Sequence, residues 1–116
     1  MTVPARVDVI GSLVSACTLH YALDQVARRL EEGGGGYVCF TNVHAVVEGR
    51  HNEAFRSVTN QSFLSVADGK PIFWVGRAKG ARSIGHSPGP DFFHAAMRWF
   101  GERGHYFYGS TPKVLS

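Results

Sequence analysis

Asp68 is the residue of this chain best placed to do chemistry. It follows the apolar run Phe63-Leu64-Ser65-Val66-Ala67 and precedes Gly69-Lys70-Pro71. An apolar run that short predicts a buried strand, and Gly and Pro punctuate its end. Pro suits the first turn of a helix, where its missing N–H would be unpaired anyway. Asp68 is therefore expected just past the C-terminal end of a strand, on the turn into a helix. Open α/β sheets bind their ligands at that edge. A carboxylate there is a candidate general base. The same position also suits an Asp that caps a helix or closes a turn and meets no ligand.

Other patterns carry less. Gly85-His86-Ser87-Pro88-Gly89 is a literal G-x-S-x-G. A nucleophile elbow takes an oxyanion-hole N–H from the residue after its Ser. Here that residue is Pro88, which has none, and the preceding stretch is basic rather than a buried strand. The elbow is rejected. Six histidines invite a metal reading, with His44 and His51 seven apart and Cys39 nearby. No standard zinc spacing is met, and solvent-facing or capping histidines account for them. Arg77, Lys79 and Arg82 form a basic loop that could attract a diphosphate or simply be solvated. Gly109-Ser110-Thr111, at a strand-to-helix turn, is a plausible phosphate cradle because helix N-termini present free N–H groups. It lacks the Walker lysine, so it is not a P-loop. Trp74, Phe92, Phe93 and Trp99 fall at helical spacing and fit a core better than a stacking platform.

These residues need elements to hold them, and 116 residues fit one small domain. No apolar run reaches the length of a membrane span, and no signal-peptide pattern opens the chain, which points to the cytoplasm. Cys17 and Cys39 lie among apolar neighbours and are expected as free thiols. A net charge of +3 favours anionic ligands or an anionic membrane face but is too small and scattered for nucleic acid. Val7–Ile10 is expected as an edge strand. Thr18 caps a helix with Leu19, Leu23, Val26, Ala27 and Leu30 on one stripe, and the Gly33–Gly36 run stops it. A strand at Tyr37–Phe40 follows. Val43–Arg50 and Asn52–Val58 form one interrupted helix or two short ones. After the strand before Asp68 come a helix at Pro71–Ala78, the loop Lys79–Gly89, a helix opened by Pro90, and a strand at Tyr106–Tyr108. Such alternation predicts an α/β fold with a mostly parallel sheet and helices on both faces. Thr111-Pro112 announces a further helix, yet Ser116 is the last residue, so the domain is expected to be partial, spanning 1–116. The strand at Tyr106–Tyr108 would then lack its covering helix, and the chain is expected to self-associate as a homo-oligomer.

Thr41-Asn42-Val43-His44, Ala67-Asp68-Gly69-Lys70-Pro71 with Trp74, Gly89-Pro90-Asp91, and Phe107-Tyr108-Gly109 occur in this order and spacing. In this the chain resembles the WecG/TagA/CpsF glycosyltransferases (glycosyltransferase family 26), from about residue 7 to 116. The resemblance implies a Rossmann-like fold and an N-terminal portion of a longer enzyme. It also implies inverting transfer of an N-acetylmannosamine-type or related sugar from a UDP-sugar to a polyprenyl-diphosphate-linked sugar. That reaction serves cell-surface polysaccharide assembly at the cytoplasmic membrane face. No metal or cofactor is expected, because no second carboxylate sits near Asp68 in sequence to make the usual metal-binding pair. Asp68 falls on the family's proposed base and Asn42 on its active-site Asn. Thr41, Gly69, His86, Asp91, Gly109 and Ser110 are the further substrate-binding candidates, His86 and Asp91 at the mouth and the Gly109 turn near the donor.

Two departures stand out. The family usually carries Glu-Arg before Gly-x-Asp, where this chain has Gly85-His86. An imidazole largely neutral at pH 7 does not replace an always-charged, bidentate guanidinium. The family often has Thr two residues before the Asn, where this chain has Phe40. The alternative reading is a truncated, inactive remnant that binds a ligand or partner. A nucleotide-binding module without transfer chemistry stands behind both.

Overall fold

The computed structural model describes residues 4–101. In chain order they form β1 (Arg6–Val9), β2 (Ser12–Ser15), α1 (Leu19–Glu31), β3 (Val38–Thr41), α2 (Val43–His51), α3 (Glu53–Asn60), β4 (Leu64–Ala67), α4 (Lys70–Ala78) and α5 (Gly89–Trp99). The expected Tyr106–Tyr108 strand and Thr111-Pro112 helix start lie outside the described residues.

β3 and β4 pair in parallel, Val38 beside Leu64 through Thr41 beside Ala67. β4 is buried at all four positions, as a strand covered on both faces must be. Leu64 and Val66 meet Ala22 and Leu23 of α1 and Phe92 and Ala95 of α5. Ala67 belongs to a second cluster with Val9, Val14, Val46 of α2, Ile72 of α4 and Ile84. Helices thus cover the parallel pair on both faces, as expected.

In place of one mostly parallel sheet the described residues form two separate two-stranded sheets, one parallel and one antiparallel. β1 and β2 form an antiparallel hairpin, Arg6 opposite Ser15 through Val9 opposite Ser12, where a lone edge strand was expected. Its two-residue turn is Ile10-Gly11, with φ of +51° and +89°. Both central residues at positive φ mark a type I′ turn, which normally asks for Asn-Gly. Ile10 obscures that signal, and it pays a steric cost for a left-handed backbone. Asp8 holds the turn by accepting the Gly11 N–H at 2.7 Å.

The hairpin is fastened to the rest by side chains. Asn60 accepts the Leu13 N–H at 2.8 Å and donates to the Gly11 carbonyl at 3.0 Å, as a peptide group would. The Arg6 guanidinium donates to the Thr59 and Asn60 carbonyls, each at 3.3 Å, and to the Ser62 carbonyl. It thereby satisfies the C-terminal end of α3, where a cation is favoured. Partial burial lowers the Arg6 pKa from its ordinary value. The Ser65 N–H donates to Ser15 Oγ at 2.9 Å, which joins β2 to β4.

The helix starts follow the capping residues. Thr18 Oγ1 accepts from Tyr21 N–H, Asn42 Oδ1 from Ala45 N–H and Asn52 Oδ1 from Phe55 N–H. Asn52 therefore divides α2 from α3, giving two short helices. Leu30, expected on the buried stripe of α1, is instead exposed, and Gln25 is buried. Both cysteines are free thiols. Burial pushes the Cys17 thiol up from 9.0 to about 11.

Two outcomes are expected. Ile10→Asn relieves the left-handed backbone and stabilises the fold by about 1 kcal/mol, read as a higher thermal midpoint; a lower midpoint would show that the exposed Ile10 side chain contributes more than its backbone costs. For Cys17, a folded pKa above the unfolded one means that stability is complete below pH 9 and declines toward about pH 11. Denaturant unfolding across that range should lose this slope in Cys17→Ala.

Candidate active site

Parallel pairing brings the ends of β3 and β4 out at one edge. The Asp68 N–H donates to the Thr41 carbonyl at 3.0 Å, the last rung between the two chains. Beyond it one chain turns through Asn42 into α2 and the other through Asp68-Gly69 into α4. The segment before α5 lies against the same edge: Ser87 N–H donates to the Ala67 carbonyl at 2.8 Å. Gly89, the first residue of α5, faces Asp68 so closely that a Cβ built on it lies 3.7 Å from Asp68 Oδ2. Three helices therefore begin around one carboxylate. Phe40 meets Phe92 edge to face at 5.1 Å and ties α5 to β3.

Asp68 is half-buried, and no hydrogen bond to its carboxylate is found among the described residues. It does not cap α4. Gly69 holds the cap position, at φ +119°, and no side-chain oxygen caps that helix. Gly is required at such a φ, so Gly69 shapes the turn that presents Asp68. The first turn of α5 is likewise without a side-chain cap. Both helix starts keep N–H groups available to an anion.

The other candidates divide. Asn42 is exposed at the edge. Its Oδ1 accepts the Ala45 N–H at 2.9 Å, so its amide NH2 is the part left to a ligand. Asp91 is exposed in the first turn of α5, where a negative charge is favoured. His86 is half-buried beside Ser87. Thr41 needs correcting as a substrate contact. Its side chain is 1% exposed and shares a 2.5 Å hydrogen bond with Ser65 Oγ inside the sheet, so it fixes the edge from behind. Gly109 and Ser110 lie outside the described residues.

Ser87 is fully buried, and its Oγ has no partner among the described residues. A nucleophile elbow must expose its Ser, so this burial agrees with the rejection. Arg77 lies over the Phe73 ring at 5.7 Å and donates to the Arg82 carbonyl, while Lys79 Nζ donates to the Asp8 carbonyl at 2.6 Å. The basic loop is thus anchored along α4 and β1 and not at Asp68. No group of three His, Cys, Asp or Glu among the described residues could hold a metal ion. A cavity of about 480 Å³ lined by Cys17, Thr18, Tyr21 and Ser83 lies elsewhere, since none of the edge residues lines it. Gly89 and Phe92 went unnoticed as site residues; only the glycine-proline start of α5 hinted at a close approach there.

An α/β chain whose carboxylate at the C-terminal edge of parallel strands has no partner among the described residues resembles the broad class whose ligands bind at that edge. The family model for the Glycosyl transferase WecG/TagA/CpsF family matches residues 7–116, and the chain belongs to that family. No curated protein matches it. Membership makes it a transferase that works between a nucleotide-sugar donor and a sugar acceptor. No helix among the described residues is long and apolar enough to cross a membrane.

The structure also accounts for Gly85, where the resemblance leads to an expected Glu. Its N–H donates to the Cys17 carbonyl at 2.9 Å, and a Cβ there would lie 3.0 Å from Thr18 Cα. Backbone cannot yield as a side chain can. Gly85→Ala is therefore expected to destabilise by about 1–3 kcal/mol, the usual range for overpacking, measured by denaturant unfolding. An unchanged midpoint would mean that the loop shifts freely.

Proposed function

We propose that the chain acts in a Rossmann-like, inverting glycosyltransferase. It moves an N-acetylmannosamine-type or related sugar from a UDP-sugar to a polyprenyl-diphosphate-linked acceptor, at the cytoplasmic membrane face, in cell-surface polysaccharide assembly. The observation that carries the reading is the half-buried Asp68 carboxylate, released from any capping duty by Gly69 and faced by the start of α5. Family membership supplies the reaction class.

In this mechanism Asp68 accepts the proton of the acceptor hydroxyl. The oxygen attacks the anomeric carbon from the face opposite the nucleotide, and the bond to UDP breaks with its electron pair leaving on the diphosphate. Asn42 offers its amide NH2 to the acceptor or sugar. The uncapped starts of α4 and α5 suit diphosphate oxygens. His86 and Asp91 line the mouth, and the Gly109-Ser110 turn approaches the donor.

Asp68→Asn keeps the shape and removes the base. In the chain together with any continuation its gene encodes, transfer should fall by ~10²–10⁴, with UDP-sugar affinity by calorimetry held within a few-fold. Transfer at the parent rate would sink the assignment. The second reading, a binding module without transfer, is favoured by His86 standing where the family has Arg. Parent protein that binds UDP-sugar but transfers nothing to a lipid-linked acceptor would establish it instead.

A further inference from the structure

We propose that the ring of Phe40 is the platform on which the acceptor's sugar ring lies, which makes Phe40 a specificity-determining residue. The inference rests on the proposed function: Asp68 takes its proton from an acceptor hydroxyl, so the ring bearing that hydroxyl comes to the carboxylate. β3 sends Val38 and Phe40 to one face and Thr41 to the other. Val38 packs against the core of Leu64, Val66, Phe92 and Ala95. Phe40, nearer the edge, stands beside Val66 and meets Phe92 at 5.1 Å, yet stays 37% exposed. The apolar layer beneath α5 thus comes out to the ligand edge at Phe40. Asp68 leaves the sheet on the same side. It follows Val66 at i+2, and its N–H continues the ladder onto the Thr41 carbonyl. A Cβ built on Gly89 lies 3.7 Å from its Oδ2, and Gly89 is one helical turn before Phe92.

A pyranose carries hydroxyls around its rim and axial C–H bonds on its two faces. The hydrogens on a face are slightly positive and suit the negative face of an aromatic ring. The rim needs both a donor and an acceptor. Asp68 is the acceptor, and the Asn42 amide NH2, whose Oδ1 is taken by the Ala45 N–H, is the donor. A prenyl chain on Phe40 would leave both polar groups unmatched. Contact with Phe92 orients the Phe40 ring before a ligand arrives, so little freedom is lost on binding. An axial hydroxyl on the stacked face would set an O–H against the ring in place of a C–H and would strip that hydroxyl of water. Phe40 therefore selects sugars by the configuration of their ring carbons, favouring a face that carries C–H bonds alone.

The test is saturation-transfer NMR on the 116-residue chain with methyl β-D-glucopyranoside, whose ring substituents are all equatorial. Irradiation of the protein's aromatic protons is expected to reach the axial protons of one sugar face, H1, H3 and H5 or H2 and H4, ahead of the other. D-Glucitol, which has hydroxyls but no ring face, should receive little. Phe40→Leu keeps apolar bulk against α5 and removes the ring; it should weaken binding by about threefold to tenfold, the range for aromatic contacts. Phe40→Tyr restores the ring and should bind as the parent does. Saturation spread evenly over both faces, or glucitol receiving as much, would overturn the proposal on the parent protein alone, whatever the variants do. Parent-level binding by Phe40→Leu would overturn it too, as would displacement of the glycoside by uridine, which would give the platform to a nucleobase. No donor is present and no transfer is read, so failure here leaves Asp68 standing as the base. Transfer at the parent rate by Asp68→Asn, with the glycoside still stacked on Phe40, would remove the base and leave the platform.

Discussion

Complete burial of a four-residue strand is the constraint on which the other features depend. β4 presents Leu64 and Val66 to α1 and α5, and Ala67 to the hairpin, α2 and α4. A strand covered on both faces cannot slide by one residue without exchanging its two sets of side chains. Its register against β3 is therefore fixed, and so is the point where it ends. Asp68 leaves the sheet one residue beyond the last buried position because the packing, rather than any bond to its carboxylate, places it there.

Polar atoms inside this packing are matched one to one. Thr41 and Ser65 pair across β3 and β4, and Ser15 receives the Ser65 N–H from the other side. Arg6 and Asn60 do the same between the hairpin and α3. Side chains thus join the two strand pairs where no backbone ladder does. Buried hydroxyls and amides impose direction that apolar contacts do not, since each one left unpaired costs about 1–3 kcal/mol. Ser87 is the exception among the described residues, and it lies next to Ala67, where the last segment of loop comes to rest.

Local signals in the sequence disclosed most of the elements. Thr18, Asn42 and Asn52 each cap the helix that follows them, and Pro71 and Pro90 stand in first turns. The glycine run ends α1 where expected. The hairpin stayed hidden because Ile10 occupies a turn position that normally carries Asn or Gly, and a β-branched residue there argues for continued strand. At the site, Asp68 could be placed by the break from apolar run to Gly-x-Pro. Its neighbour Gly89 could not, because nothing local says that a loop twenty residues on returns to β4. The burial of Thr41 was equally invisible. Alternation along a four-residue strand does not say which of its two faces meets solvent until the covering helices are known.

The two positions that the resemblance marks as departures both lie in tight packing. Phe40, standing where Thr is common, packs on Phe92 at the start of α5. Gly85, standing where Glu is usual, lets the preceding loop lie directly on the Thr18 backbone. One adds an aromatic contact between β3 and α5, and the other lets the loop before α5 lie on the chain that enters α1. A larger residue at 85 would lift the loop that carries His86 and Ser87, and with it the glycine that faces the carboxylate.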